Sequence, residues 1–216
     1  MSKMSYIIVR KKIKSYNKNI IIEGDKSLSI RWALLSSQSF AKCRCSNLLI
    51  SEDVINTLNC LRKLGVKVKL SKNFCEITGV GLNGFKYKKK LLLNAGNSGT
   101  LGRLIMGLLV HSKNNIKLTG DKSLSKRDFF RVSRPLEKFG AKYITNFGKL
   151  PIIIKGTNNP TPIRYYETKG SAQCKSAVML AALNTKGETV IKAKRSRDHS
   201  ELLFKYLKLP IKILKK

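Results

Sequence analysis

The sequence contains few acidic residues and no long apolar run. Aspartate and glutamate supply 12 of the 216 residues, against 44 lysines and arginines, which gives a formal net charge of +32 at pH 7. No apolar stretch approaches the roughly 20 residues that a membrane-spanning helix requires. The first residues lack the apolar segment and the cleavage site of a secretory signal. The sequence therefore predicts neither a membrane protein nor a secreted one, and we expect a cytoplasmic location.

The cysteines are too few and too scattered for a disulfide framework or a zinc site. They number five, an odd count, and none stands in a Cys-x-x-Cys pair. We expect small buried side chains in a reducing compartment, and we expect no bound metal. The five are Cys43, Cys45, Cys60, Cys75 and Cys174.

The large positive charge leaves two interpretations open, because such a field attracts polyanions of any kind. One is a nucleic-acid-binding protein, and the other is a lysine-rich surface whose ligands are small anions. Lysines occur along the whole chain, for example at 11–12, 86–90 and 192–194. No zinc finger, aromatic RNP-like stripe or Gly-Arg repeat accompanies them. Salt-sensitive binding without competition by a small molecule would favour the first interpretation.

Three segments of the chain resemble one another, which indicates an internal repeat. They begin KSLSIR at Lys26, NSGTLGR at Asn97 and SAQCK at Ser171. Each opens with glycine or small hydroxyl residues and continues into an apolar pattern of helical period. Aligned on Ser27, Ser98 and Ser171, the segments recur after 71 and then 73 residues.

A second set of helical patterns follows at nearly the same period, starting at Glu52, Arg127 and Asp198. The first two end in Leu-Gly or Phe-Gly, which suits a helix end, whereas the third has Leu-Pro at Pro210. A short alternating strand is expected after each, and turn-bounded strands such as CRCSNLLI, NNIKLTG and GETVIKA lie between the helices. The sequence therefore predicts an α/β fold in which three repeated units form one globular domain.

A closed arrangement of these units would bring three helix N-termini to one rim, where free N–H groups and the helix dipole favour phosphate. Cations, hydroxyls and an amide stand at these helix starts, although Ser98 alone is better explained as a helix cap. The candidates are Lys26, Ser27, Arg31, Asn97, Ser98, Gly99, Thr100, Arg103, Ser171, Ala172, Gln173 and Lys175.

Five segments, in order, resemble the signatures of the 5-enolpyruvylshikimate-3-phosphate (EPSP) synthase family. GDKSLSIR (24–31) is similar to the first signature and LNAGNSGTLGRLIMG (93–107) to the second. SAQCKSAVMLAAL (171–183) and RSRDHSELL (195–203) are similar to the third and fourth. GDKSLSKRDFFRVSRPLEKFGA (120–141) is similar to the segment between the second and the third. The resemblance extends over nearly the whole chain.

The resemblance implies the enolpyruvyl transferase fold, an inverted α/β barrel whose domains each contain three α/β units. It implies transfer of the enolpyruvyl group from phosphoenolpyruvate to the 5-hydroxyl of shikimate 3-phosphate, with release of phosphate and without a cofactor. This reaction belongs to the shikimate pathway of aromatic amino acid biosynthesis. We expect residues 1–23 to form an N-terminal strand and hinge region and residues 24–216 to form the substrate-binding domain.

The resemblance also implies roles for individual residues. Lys26 and Arg127 are expected to act in catalysis by neutralising charge and orienting the substrates. The expected ligands of shikimate 3-phosphate are Lys26, Ser27, Arg31, Ser171, Ala172, Gln173 and Arg197. The expected ligands of phosphoenolpyruvate are Lys26, Gly99, Arg127 and Gln173. The residues expected to shape the pocket are Asn97, Thr100 and Arg103.

The sequence departs from the family in length and at single positions such as Glu23 and Asp128. Nothing after Leu209 resembles the second catalytic domain, which supplies the proton-transfer carboxylates, so we expect about half of the site and no turnover by this chain alone. Several explanations for the missing half stay open. The sequence could be a fragment, the product of a truncated or split gene, one of two chains of which the other supplies the second domain, or an inactive remnant. Asp128 stands where the family usually has proline, and we expect it to compete for the charge of Arg127. A related transferase acting on UDP-N-acetylglucosamine is disfavoured, because its catalytic cysteine loop has no counterpart here.

Overall fold

The computed structural model describes residues 8–12, 15–20, 22–72 and 74–214. The helices within these ranges are α1 (Lys26–Ser36), α2 (Glu52–Lys63), α3 (Gly99–Leu108), α4 (Phe130–Glu137), α5 (Ala172–Ala182) and α6 (His199–Tyr206). The strands are β1 (Lys42–Ser46), β2 (Lys67–Leu70), β3 (Phe74–Thr78), β4 (Leu91–Asn94), β5 (Ile116–Thr119), β6 (Lys142–Asn146), β7 (Lys149–Lys155), β8 (Arg164–Glu167) and β9 (Val190–Ala193). Of the helices in the described part of the chain, none is long and apolar enough to cross a membrane.

The strands form three separate sheets, one for each repeated unit. The first sheet has the order β1-β3-β2 and is antiparallel. The second has the order β4-β5-β7-β6, in which β4 and β5 run parallel and the other pairs are antiparallel. The third is the parallel pair β8-β9. Two helices accompany each sheet, so the predicted α/β fold of three repeated units is confirmed.

The first helix of each unit, α1, α3 or α5, is buried on most of its surface. Eight of the ten residues of α3 are buried, and its face against α5 carries Gly107. A Cβ atom at Gly107 would lie 2.1 Å from the carbonyl oxygen of Ala177 on α5, so only glycine permits this helix contact. Helices buried on most of their surface belong in a protein core, which places these three helices there.

The second helices of the first and third units end in the same way, although the sequence conceals this in the third unit. Gly65 after α2 has a φ of +88°, and the N–H of the next residue bonds the carbonyl of Leu61 at 3.1 Å. Lys208 after α6 has a φ of +53°, and the N–H of Leu209 bonds the carbonyl of Phe204 at 2.9 Å. This is the Schellman pattern, in which a left-handed residue closes the helix.

The alignment of Leu209-Pro210 with the two glycine turns is therefore wrong, because Lys208 takes the left-handed position. The strand expected after this turn is also wrong, since residues 211–214 form no strand. Pro210 lacks the N–H that a ladder needs, and no neighbouring strand in the described part of the chain lies beside it.

The N-terminal segment has no regular structure where the structure describes it. Residues 8–12, 15–20 and 22–23 form neither helix nor strand, and apolar side chains such as Val9 and Ile22 are largely exposed. The strand expected in residues 1–23 thus has no counterpart there, because no partner strand offers backbone hydrogen bonds. The rest of that expectation, at residues 1–7, 13, 14 and 21, lies outside the described residues.

All five cysteines are free thiols. Cys60, Cys75 and Cys174 are buried as expected, whereas Cys43 and Cys45 are half-buried, so the expectation of burial is wrong for these two. Burial raises the pKa of the Cys60 thiol to about 11, which makes it unreactive at neutral pH.

Candidate functional site

The helices α1, α3 and α5 begin with equivalent caps that lie 73 residues apart, at Asp25, Ser98 and Ser171. Each side-chain oxygen accepts a hydrogen bond from the backbone N–H three residues later, at 2.7, 3.2 and 3.3 Å respectively. The sequence alignment had placed Ser27 opposite Ser98 and Ser171, and this register is wrong by two residues. Asp25 is the true counterpart, because aspartate caps a helix as well as serine does.

Lys26 and Ser27 form the first turn of α1, at the open end of the helix. The Nζ atom of Lys26 lies 2.9 Å from Oδ2 of Asp53 on α2, and half of the Lys26 side chain is exposed. The hydroxyl of Ser27 makes no hydrogen bond within the described part of the chain, whereas its carbonyl accepts one from Arg31. Both side chains can therefore reach a ligand in solution.

Arg31 lies beneath the rim and joins three helices. Its Nε donates to the hydroxyl of Ser200 on α6 at 2.8 Å, and Nη2 donates to the hydroxyl of Ser176 on α5 at 3.1 Å. Nη1 donates to the carbonyl of Ser27 at 3.1 Å. Only 5% of the residue is exposed, and burial lowers its pKa, although nearby carboxylates oppose this. A guanidinium stays charged at neutral pH, so this buried cation, with neutral acceptors as hydrogen-bond partners, can attract an anion.

Gly99, the first residue of α3, lies beside two guanidinium groups. A Cβ atom built on Gly99 would lie 2.8 Å from Nη1 of Arg103 and 3.1 Å from Nη1 of Arg127. Arg127 is exposed, and its Nη2 donates to Oδ1 of Asn97 at 3.4 Å. Nδ2 of Asn97 in turn donates to Asp121 at 2.7 Å. A side chain at Gly99 would crowd the two guanidinium groups, so the glycine allows both cations to lie beside the first residue of α3.

A hydrogen-bond network joins the first turns of α3 and α5. Nη1 of Arg103 donates to Oε1 of Gln173 at 2.9 Å, and Nε2 of Gln173 donates to the hydroxyl of Thr100 at 3.1 Å. Arg103 also donates to the carbonyl of Asp128 at 3.2 Å, and its guanidinium lies 5.0 Å above the ring of Phe129. Burial lowers the pKa of Arg103. Thr100, Arg103 and Gln173 are thus held in one fixed arrangement.

Glu167 fixes the loop that precedes α5, a role that the sequence did not reveal. Its carboxylate accepts the backbone N–H groups of Lys169 at 3.2 Å and Ser171 at 2.7 Å, and only 5% of the residue is exposed. The hydroxyl oxygen of Ser171 caps α5 by accepting the backbone N–H of Cys174. A ligand bound at Ser171, as expected from the sequence, would have to share this hydroxyl with the cap. Ala172 follows in the first turn, and its carbonyl accepts from Ser176, which also binds Arg31.

Two cations of the predicted set behave differently from the rest. Lys175 is buried and forms an ion pair with Glu201, so it is not available at the rim as the sequence suggested. Arg197 is exposed and close enough to Arg31 for its charge to lower the pKa of that residue. Two positive groups held near each other favour a shared anion.

The expectation that Asp128 competes for the charge of Arg127 is wrong. Its Oδ1 accepts the backbone N–H of Phe130 at 2.8 Å, and within the described chain no carboxylate lies within 4 Å of Arg127. The aspartate takes the role of a local turn former, which leaves the guanidinium available.

The site therefore has two groups of cations that meet at the first turn of α5. Arg103 and Arg127 border Gly99 on one side, and Arg31 with Arg197 lies on the other. Three helix N-termini add partial positive charge. The arrangement suits a ligand, or two ligands, with several negative charges.

Comparisons with known proteins agree with this geometry. A family model described as EPSP synthase (3-phosphoshikimate 1-carboxyvinyltransferase) matches residues 10–216. The 3-phosphoshikimate 1-carboxyvinyltransferase of Paracoccus denitrificans (strain Pd 1222) is 43% identical over 183 residues, which cover 83% of this chain and 41% of that protein. The enzyme of the same name from Vesicomyosocius okutanii is 43% identical over 205 residues, which cover 94% of this chain and 47% of that protein.

The fold matches as well. A solved structure of EPSP synthase from Acinetobacter baumannii superposes with a TM-score of 0.81 at 35% sequence identity, over 86% of this chain and 42% of that one. This confirms the fold class expected from the resemblance. The chain spans less than half the length of each of these relatives. Because the family model matches almost the entire chain, the protein belongs to the EPSP synthase family.

Proposed function

We propose that this site takes part in transferring the enolpyruvyl group of phosphoenolpyruvate to the 5-hydroxyl of shikimate 3-phosphate, with release of phosphate. The relatives carry the name of this reaction. The observation that supports the proposal most strongly is the pair of guanidinium groups, those of Arg103 and Arg127, beside Gly99 at the start of a helix. Both substrates are polyanions, and binding them together requires several cations to offset their mutual repulsion.

Shikimate 3-phosphate would be held mainly by α1 and α5. Its phosphate suits hydroxyl and backbone donors at the α5 N-terminus together with cations. The half-buried Ser27, whose hydroxyl makes no hydrogen bond within the described chain, and the half-exposed Lys26 are the most accessible donors on α1. Arg31 would act from beneath through its remaining N–H groups. The full set that we propose is Lys26, Ser27, Arg31, Ser171, Ala172, Gln173 and Arg197.

Phosphoenolpyruvate would lie beside Gly99, in contact with Arg127, Lys26 and Gln173. The 5-hydroxyl loses its proton as its oxygen adds to the enol carbon that bears the phosphate, and the terminal carbon of the enol gains a proton. The phosphate and a proton then leave, which restores the double bond. Arg127 and Lys26 would act in catalysis by neutralising and orienting the two anions, which is proximity combined with electrostatic stabilisation. Asn97, Thr100 and Arg103 would shape the pocket.

The proton-transfer groups of this reaction are proposed to come from the part of the relatives' length that this chain does not cover. That part would be joined to this polypeptide or supplied by a separate chain, and the reaction would take place in the cytoplasm. The carboxylates near the described site support this division of labour, because they already have partners. Asp25 caps α1, Asp53 pairs with Lys26, Asp121 accepts from Asn97 and Asp128 accepts from a backbone N–H.

A thermal-shift measurement with shikimate 3-phosphate tests the proposal, since a ligand that binds the native state raises its melting temperature. We expect an increase at millimolar ligand in the unchanged chain and a much smaller one in Lys26→Met. Lys42→Met is a matched control, because Lys42 is also an exposed lysine in an ion pair, with Glu76 at 3.5 Å. It should keep the full shift.

No shift in the folded, unchanged chain would contradict the proposal. An equal loss of the shift in both variants would also contradict it, because the ligand would then be responding to overall charge alone. If high salt released shikimate 3-phosphate equally from both variants, the result would favour a nonspecific polyanion-binding protein.

A further inference from the structure

A basic cavity, partly open to solvent, adjoins the proposed substrate site. It has a volume of about 460 Å³ and lies between α4, the hairpin of β6 and β7, and the loop before α5. None of the residues proposed above as substrate ligands lines it. Five cationic side chains surround it, namely Lys126, Arg131, Arg134, Lys149 and Lys169.

These positive charges are poorly neutralised by the protein. Nη2 of Arg131 lies 3.9 Å from Oε1 of Glu167, and within the described chain the other four cations have no carboxylate within 4 Å. Asp128 also lines the cavity, but its carboxylate accepts a backbone hydrogen bond from Phe130 at 2.8 Å. The cavity therefore retains an excess of positive charge that an anion with several negative charges would offset.

Two phenyl rings also line the cavity, and one of them belongs to a residue with a strained backbone conformation. Phe147 is 88% exposed and has a φ of +49°, while Gly148 next to it has a φ of +75°. Two positive φ angles define the type I′ hairpin turn, in which Asn-Gly is strongly preferred. A bulky residue at positive φ is strained, and strain of this kind is retained mainly at functional sites. Phe147 gains little burial in return, so its ring is not explained by stability.

The second ring forms a rigid wall of the cavity. Phe130 packs against Gly148, where a Cβ atom would lie 2.4 Å from the ring. The guanidinium of Arg134 lies 4.7 Å from the centre of the same ring, which holds this cation at the cavity. The cavity thus has one wall formed by Phe130 and Arg134, and the exposed ring of Phe147 lies at the hairpin turn beside it.

We propose that this cavity binds a nucleotide with two or more phosphates. The base would stack on Phe147, and the phosphates would contact the surrounding lysines and arginines. The volume falls within the range of small-molecule sites, roughly 300–1,000 Å³. A single-stranded nucleic acid is disfavoured, because its proteins present several successive stacking platforms, whereas this cavity has one strongly exposed ring. This inference does not depend on the proposed enolpyruvyl transfer.

Calorimetric titration of ATP into the full chain at about 150 mM salt tests the aromatic half of the proposal. Phe147→Asn should weaken ATP binding about tenfold, because stacking on an aromatic ring contributes about 1–3 kcal/mol per base. The same variant should keep or raise the melting temperature, since Asn-Gly is the preferred turn. Phe40→Asn is a matched control that should bind ATP unchanged, because Phe40 is 84% exposed and lies outside the cavity.

The cationic half is tested by Lys149→Gln and Arg134→Gln, each expected to weaken ATP binding about tenfold. Lys117→Gln, an exposed lysine on β5 outside the cavity, should have no effect. Binding of tripolyphosphate as tight as that of ATP, or unchanged binding in Phe147→Asn, would overturn the proposal. Tighter binding of a single-stranded RNA that depends equally on Lys117 would overturn it in favour of a nonspecific basic surface.

Discussion

Two nearly identical octets, GDKSLSIR (24–31) and GDKSLSKR (120–127), fold alike at first and then diverge. In each, the aspartate Oδ1 accepts the N–H of the leucine three residues later, at 2.7 Å for Asp25 and 2.6 Å for Asp121. The first octet continues as an eleven-residue helix, whereas the second forms a single 3-10 turn. Seven shared residues thus determine this local hydrogen bond but not the element that follows it.

The single differing residue explains which face each octet buries. Ile30 is fully buried in the core and places Arg31 below the rim, at 5% exposure. Lys126 is exposed, and Arg127 after it is exposed as well. In the second octet the leucine is buried instead, since Leu124 is 0% exposed. The position of one apolar residue therefore decides whether the arginine is buried beneath the rim or exposed to solvent.

The largest effect is expected from exchanging the differing residues. Ile30→Lys would place a charged side chain where the structure has a fully buried one, and should lower the free energy of unfolding by about 4 kcal/mol or more. Lys126→Ile should change it by less than about 0.5 kcal/mol, because that position is exposed. Urea unfolding of both variants measures the difference. Similar losses in the two would show that burial does not separate the octets.

A smaller effect is expected from removing the two caps. Asp25→Ala and Asp121→Ala should each lower the free energy of unfolding by about 1 kcal/mol, because each aspartate satisfies one backbone N–H. Asp25→Asn and Asp121→Asn keep the accepting oxygen and serve as controls with little expected loss. Urea unfolding checks all four. A loss at only one of the two alanine variants would contradict the local equivalence of the octets.

The three-unit fold could be predicted from the sequence because it depends on local patterns. Helical periodicity and turn-forming glycines such as Gly65 recur at nearly constant intervals, and each acts within a few residues of chain. The exact register could not be predicted, because Asp25 and Ser27 are both good caps and only the backbone geometry distinguishes them. The left-handed conformation of Lys208 could not be predicted either, because a lysine rarely adopts positive φ.

The side-chain network of the site was less predictable than the residues that compose it. Arg31 was a candidate from its position one turn into α1, but its partners Ser176 and Ser200 lie 145 and 169 residues away in the sequence. The sequence did not indicate a role for Glu167, because its carboxylate accepts two backbone N–H groups of a loop and belongs to no motif. Contacts between distant segments depend on packing, which no short motif encodes.

Titration of shikimate 3-phosphate into Ser27→Ala and Ser123→Ala tests most directly whether the first octet binds substrate and the second does not. These serines occupy the same position in the two octets, and neither is buried. The account predicts that Ser27→Ala weakens binding about tenfold, because a hydrogen bond to a charged phosphate contributes about 1.5–3 kcal/mol, and that Ser123→Ala binds normally. Equal weakening in both, or unchanged binding in folded Ser27→Ala, would contradict it.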